Sequence, residues 1–213
     1  SVRNQVVLPA GVLQPPYYDL ESDDAENYGA IGAIIGHELV HGFDTPLRNI
    51  VVNGTEIPLW TGNDSVRFTA VTTPLVEQFD SMEGFPGQNL NGTRTLAENA
   101  ADLGGLIIAW EAWQEKRVQP DSSDEYSSGK NESYLDSGDL SEEQRFFIAY
   151  SQAWRGSVRD EELRNMVLVE QHPWNRFRVN AIPFNMDEFY EAFPEAGPDT
   201  LLYRDESARA RIW

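Results

Sequence analysis

The stretch AIIGHELVHGFD, Ala33 to Asp44, sets His37 and His41 four residues apart with Glu38 between them, in a chain of 213 residues that has only 3 histidines. In an α-helix such residues differ by about 40° around the axis, so both imidazoles leave one face and can grip a single ion. Glu38 stands one step round. It cannot join the histidines as a close ligand, but it can reach a water held by the metal, the arrangement in which zinc lowers the water's pKa and a carboxylate takes its proton. The competing reading is a half-exposed helix whose histidines fall at this spacing by chance. The scarcity of histidine in the chain favours the metal.

A catalytic zinc needs a third protein ligand and an open fourth position. One class of metallopeptidase places a histidine six residues beyond the second, but that position here is Leu47. Glu98, in LAENAADLGGL, is the candidate, because Asp102 follows at i+4 on the same helical face and can hydrogen-bond a histidine ligand. The alternative is a capping box between Thr95 and Glu98, with Asp102 an ordinary solvated acid. Against it stand the apolar, Gly-Gly-bearing surroundings, in which two acids four apart need a reason to be buried.

Thirty-five Asp and Glu against 16 Lys and Arg give a formal charge of −19, which repels phosphate backbones and anionic lipid and excludes nucleic acid as a partner. Lys116 and Lys130 are the only lysines, and the acids are spread along the chain. That pattern suggests the solvated surface of a salt-adapted (halophilic) protein, with an acidic partner-binding face as the alternative. There is no cysteine, so neither disulfides nor thiolate chemistry is available. No apolar run reaches the roughly 18 residues of a membrane span, and the first residues lack a signal-peptide layout, so no membrane contact is expected within this chain.

The pattern predicts a mainly helical (α+β) domain over 1–213 with a small β element. NQVVLPAGVLQPPYY reads as a short strand followed by an irregular loop broken by Pro9, Pro15 and Pro16. A helix from Asp24 to about Phe43 is capped at Asp23 or Asp24. Its four glycines (Gly29, Gly32, Gly36, Gly42) call for close packing or a nearby ligand. Asn53-Gly54 between β-branched residues signals a hairpin. Helices are predicted over Asn63 to about Met82, Thr93 to Arg117, Ser141 to about Trp154 and from Asp160 to before Gln171, with a short one in MDEFYEAF. EGFPGQNLNG reads as a loop, and the Ser/Asp-rich residues 119–139 as a solvent loop.

The segments NQVVLPAGVLQPP, GHELVHGFD, ENAADLGGL and HPWNRFRVN, with the closing RARIW, resemble in order and spacing the neprilysin and endothelin-converting enzyme family of zinc metallopeptidases, over nearly the whole chain. The resemblance implies a helical gluzincin-type catalytic domain holding one Zn2+ through His37, His41 and Glu98, with Glu38 as the general base. It implies that Asp102 orients His37 and Asp44 orients His41, that His172 hydrogen-bonds the oxyanion, and that Arg178 binds a substrate carbonyl or carboxylate. Taken alone, His172 is a loop histidine beside a proline and Arg178 a surface cation. Val12, Tyr17, Ala33, Ile34, Ala153 and Trp154 would line the pocket for the residue after the scissile bond, although each is equally a core residue.

Three departures from the family pattern stand out. The chain starts just after the point where the family carries an Asn-Ala-aromatic-Tyr segment, whose backbone binds extended substrate; it lacks the large helical domain that restricts the chamber to peptides; and Ala210 stands near the position of a cysteine in animal members. These suggest a fragment of a longer enzyme, or a catalytic portion whose N-terminal portion is a partner. The expected function is zinc-dependent hydrolysis of oligopeptide substrates on the amino side of hydrophobic residues. The alternative is a zinc-stabilised module that binds peptide or partner without turnover. The resemblance suggests an extracellular, periplasmic or cell-surface location, with a cytoplasmic microbial oligopeptidase as the other option. Asn53, Asn63, Asn91 and Asn131 head glycosylation sequons, which also arise by chance.

Overall fold

Helix α4 (Leu96–Val118) forms the axis on which the rest is laid, because its Ala, Leu, Gly and Trp residues give it an apolar surface that other elements cover. A computed structural model describes residues 5–43, 49–52, 55–58, 60–118 and 139–212. Before α4 come α1 (Asp24–Asn27), which runs through a π-helical turn at Tyr28–Gly32 into α2 (Ala33–Val40), then the strands β1 (Asn49–Val52) and β2 (Thr55–Pro58), α3 (Gly62–Asp80), and β3 (Glu83–Phe85) with β4 (Gln88–Asn89). After it come α5 (Glu142–Ala153), α6 (Asp160–Val169), α7 (Asn175–Ala181) and α8 (Asp187–Ala192). The two sheets are antiparallel hairpins, β1 with β2 and β3 with β4. The mainly helical expectation holds.

Local chemistry fixes three of the helix starts among the described residues. Asp23 accepts from the Glu26 amide at 2.8 Å to open α1, Thr61 and Asp64 form a capping box on α3, and Ser141 and Gln144 form another on α5. Two expectations fail. Residues 5–9 form no strand, because a strand needs a ladder partner and none of the described segments supplies one. Conversely, EGFPGQNLNG is not simply loop: it folds as β3 and β4 around Gly87, whose φ of 81° a residue with a side chain rarely adopts. The sequons at Asn53 and Asn131 and most of the 119–139 stretch lie outside the described residues.

The core centres on Leu75, Phe79, Leu103, Leu106, Trp113, Phe146 and Phe147. Trp113 stacks on Phe146 with centroids 5.5 Å apart, tying α4 to α5, and burial of each such ring contributes roughly 1.5–3 kcal/mol. The glycines explain how the helices come so near one another. A Cβ on Gly36 would lie 2.5 Å from the Gly105 carbonyl oxygen, and one on Gly105 would lie 2.3 Å from the His37 amide nitrogen. So α2 and α4 touch backbone to backbone, and side chains flanking the contact face each other at short range.

Candidate metal centre

The contact of Gly36 with Gly105 sets the site. On one side of it α2 projects His37, which is 7% exposed; on the other, one and two turns back along α4, stand Asp102 and Glu98. His37 Nδ1 lies 2.8 Å from Asp102 Oδ1. The carboxylate only accepts, so Nδ1 carries a proton and donates, which makes Nε2 the nitrogen that can offer a lone pair to a cation once its own proton is displaced. That Nε2 is 3.0 Å from His41 Nε2 and 3.5 Å from Glu98 Oε2, and His41 Nε2 is 3.5 Å from Glu98 Oε1. One ligand atom from each of His37, His41 and Glu98 lies within 4.8 Å of the others. Two imidazole nitrogens and a carboxylate oxygen converging on one point form a donor set that suits zinc. Glu98 is therefore not the capping residue that the alternative supposed: the Asn99 amide and side chain, not Glu98, engage Thr95.

Arg178, from α7, lies under the acids. It is 4% exposed, donates from Nε to Asp102 Oδ2 at 2.6 Å and from Nη2 to Glu98 Oε2 at 3.1 Å, and its guanidinium rests 3.9 Å over the Trp154 ring. It is far from the surface cation that the bare sequence suggested. Two buried carboxylates need such a partner, since an unpaired buried charge is costly.

The electrostatics follow. Burial disfavours a charged His37, but its hydrogen bonds to Asp102 and Glu98 and the charge of Asp102 outweigh this and raise it from 6.5 to about 9. Burial likewise opposes a charged Glu98, yet the bond to His37 and the charges of His37, His172 and Arg178 bring it down from 4.5 to about 2. The spot attracts positive charge: His37 keeps a proton there unless another cation takes its place.

Two expected residues face solvent. Glu38, next to His37 on α2, is exposed. His172, in the connection between α6 and α7, has 60% of its side chain exposed, with Nε2 3.4 Å from Glu98 Oε1. Of the expected pocket residues, Tyr17, Ile34 and Ala153 pack together with Ala30 and Ala149 in a small apolar cluster of their own. Ala33 instead packs into the main core, Trp154 lies against that core beneath Arg178, and half-buried Val12 joins neither cluster. Asp44 lies outside the described residues. Sequence reasoning missed the attachment of Arg178 to both acids; the signal was present in the two apolar-flanked acids, which required a cation.

Comparison with known proteins agrees with this geometry. A family model described as peptidase family M13 matches residues 1–209. Human neprilysin is 36% identical over 216 residues, covering 100% of this chain and 27% of neprilysin. The neutral endopeptidase of Lactobacillus helveticus is 34% identical over 211 residues, covering 99% of this chain and 29% of that protein. Among solved structures, the Mycobacterium tuberculosis zinc metalloprotease Zmp1 in complex with inhibitor superposes with a TM-score of 0.79 at 36% identity, over 96% of this chain and 30% of that one. The chain thus spans less than a third of the length of these relatives. Among the described residues no helix is long and apolar enough to cross a membrane.

Proposed function

This chain belongs to peptidase family M13, and from that premise we propose that residues 1–213 act as a zinc-dependent endopeptidase unit that cleaves oligopeptides on the amino side of hydrophobic residues. The observation that carries this reading is the convergence of His37, His41 and Glu98 beside an exposed Glu38. One zinc ion held by those three side chains would act as a Lewis acid and bring the pKa of a water toward neutrality.

Glu38 would serve as the general base and acid of the reaction, accepting a proton from the attacking water and returning it to the leaving nitrogen as the C–N bond breaks. Its exposure suits the task, because a group that handles protons has to meet both water and substrate. His172, tethered at the mouth rather than buried, donates from its ring to the oxyanion developing on the carbonyl. Asp102 and Arg178 keep His37 and Glu98 in place, and Arg178 Nη1, which makes no hydrogen bond among the described residues, is the part of that side chain assigned to a substrate carbonyl or carboxylate. Asp44 is assigned to orienting His41. The side chain after the scissile bond is received by Tyr17, Ile34 and Ala153, bordered by Val12, Ala33 and Trp154. The acidic surface is assigned to solvation in high salt, which unfolding measured at low and molar salt tests.

The deciding experiment compares wild type with Glu38→Gln in the polypeptide that carries these residues, by metal analysis and a quenched-peptide assay. We expect one zinc per chain in both, and turnover lower by about 10²–10⁴-fold in the variant. Zinc retained with no Glu38-dependent cleavage would favour the module that binds peptide without turning it over.

A further inference from the structure

Among the described residues, the hydroxyl of Tyr150 and the indole Nε1 of Trp154 are buried behind the metal centre with no group in good hydrogen-bonding geometry. Tyr150 is 2% exposed. Tyr150 lies on the last turn of α5 and Trp154 just past its end, the rings edge to face with centroids 6.5 Å apart. An unpaired buried hydroxyl costs about 1–3 kcal/mol, so phenylalanine would suit a purely structural position better. The phenol also stands in the field of the site. Burial first, and then the negative charge of Asp102, push its pKa well above the ordinary value, while Arg178 and the Trp154 N–H pull the other way. It is thus fixed as a neutral O–H.

An unbroken set of contacts leads from this pair to the ligands. The Trp154 face carries the Arg178 guanidinium at 3.9 Å, Arg178 holds Asp102 at 2.6 Å and Glu98 at 3.1 Å, and Asp102 holds His37 at 2.8 Å. Arg178 can hold two acids in register only if its stacking surface is itself held. The Trp154 N–H is the donor that acts on the Tyr150 oxygen, lowering the phenol's pKa against the other influences on it, and a bond between the two would satisfy both atoms and fix the plane on which Arg178 rests.

We propose that Tyr150 is a positioning residue for the zinc ligands, acting through its hydroxyl on Trp154 and from there through Arg178 on Asp102, His37 and Glu98. This rests on the zinc reading of the site and not on turnover. A hydroxyl that merely sat unpaired in the core would be lost without penalty in Tyr150→Phe, and stability would hold or rise. A positioning hydroxyl makes the opposite difference at the metal.

The test measures zinc affinity by chelator competition, thermal unfolding of the zinc-loaded and zinc-free protein, and the downfield proton resonance of the His37 ring N–H bonded to Asp102. In Tyr150→Phe we expect a small fall in the unfolding temperature of the zinc-free protein, because the Trp154 N–H loses its acceptor, a shifted His37 resonance, and zinc affinity weaker by about 3–10-fold, below the 10–100-fold typical of groups bonded directly to a ligand. Trp154→Phe, which keeps a ring face but loses the N–H, should weaken zinc to a similar extent, and the double variant should bind no more weakly than either single one. Trp154→Phe alone also decides the matter should Tyr150→Phe not fold. Wild-type zinc affinity in the variants, or a loss that merely tracks unfolding, would overturn the proposal. A wild-type protein that binds zinc but cleaves nothing would sink the peptidase reading alone, leaving the effect of Tyr150 on zinc intact.

Discussion

His37 and Glu38 are adjacent in sequence and belong to different worlds. His37 faces inward, 7% exposed, with contacts to Asp102, His41 and Glu98; Glu38 faces outward into solvent. The same split runs through the whole site. On the inner side His37, Asp102, Arg178 and Glu98 form a closed set in which every charged group is held by another. On the outer side Glu38 and His172 are exposed. The difference separates two requirements. Ligand geometry must exist before the ion arrives, so its cost is met during folding, whereas groups that move protons must be free to meet the substrate.

The sharpest way to break the inner set is Arg178→Met, which leaves two buried carboxylates without their cation. We expect a loss of about 3–5 kcal/mol in unfolding free energy, read by denaturant titration. A loss no larger than that of a surface substitution would mean that the acids are not held as described. On the outer side, His172→Ala should lower kcat by about 10²–10³-fold while leaving the unfolding midpoint and zinc content where they were. Movement of all three together would erase the distinction between the two faces.

The inner set also dictates a pH response. Because the folded, zinc-free chain raises His37 from 6.5 to about 9, this contribution to stability is complete below pH 6.5 and is lost as pH rises through about 9. Glu98, lowered from 4.5 to about 2, contributes above pH 4.5 and loses its contribution as pH falls toward 2. On these two groups the zinc-free protein is most stable between about pH 4.5 and 6.5. Zinc must displace the His37 proton, so its affinity should rise by about tenfold per pH unit up to about pH 9. Chelator competition across that range checks the slope, and a flat profile would show that His37 holds no competing proton.

The smallest effect is a control on distance alone. Arg117 and Glu143 are 3.0 Å apart, as close as Arg178 and Glu98, but their side chains are 41% and 35% exposed. Arg117→Gln should cost at most about 1 kcal/mol, less at high salt. A cost matching that of Arg178→Met would show that burial is not what sets the inner pair apart.

Much of this was legible in the sequence because it is local. Caps at Asp23 and Ser141 act over three residues, and the spacing of His37 with His41, or Glu98 with Asp102, is a property of any helix. The expected strand at residues 5–9 failed because strand formation depends on a partner that propensity does not supply. The hairpin at β3 and β4 was passed over because its strands are only three and two residues long, too short for an alternation to register.

By itself, then, the sequence determined that a helix would present two imidazoles and a carboxylate on neighbouring faces, and that a second helix would carry two acids one turn apart. Only the tertiary structure decided that these helices meet at Gly36 and Gly105, and that Arg178, 76 residues beyond Asp102 and 80 beyond Glu98, lies under both acids rather than on the surface. The reason is physical: helical periodicity is set by hydrogen bonds spanning four residues, whereas the pairing of a buried charge is decided by whichever distant segment the packed core brings against it.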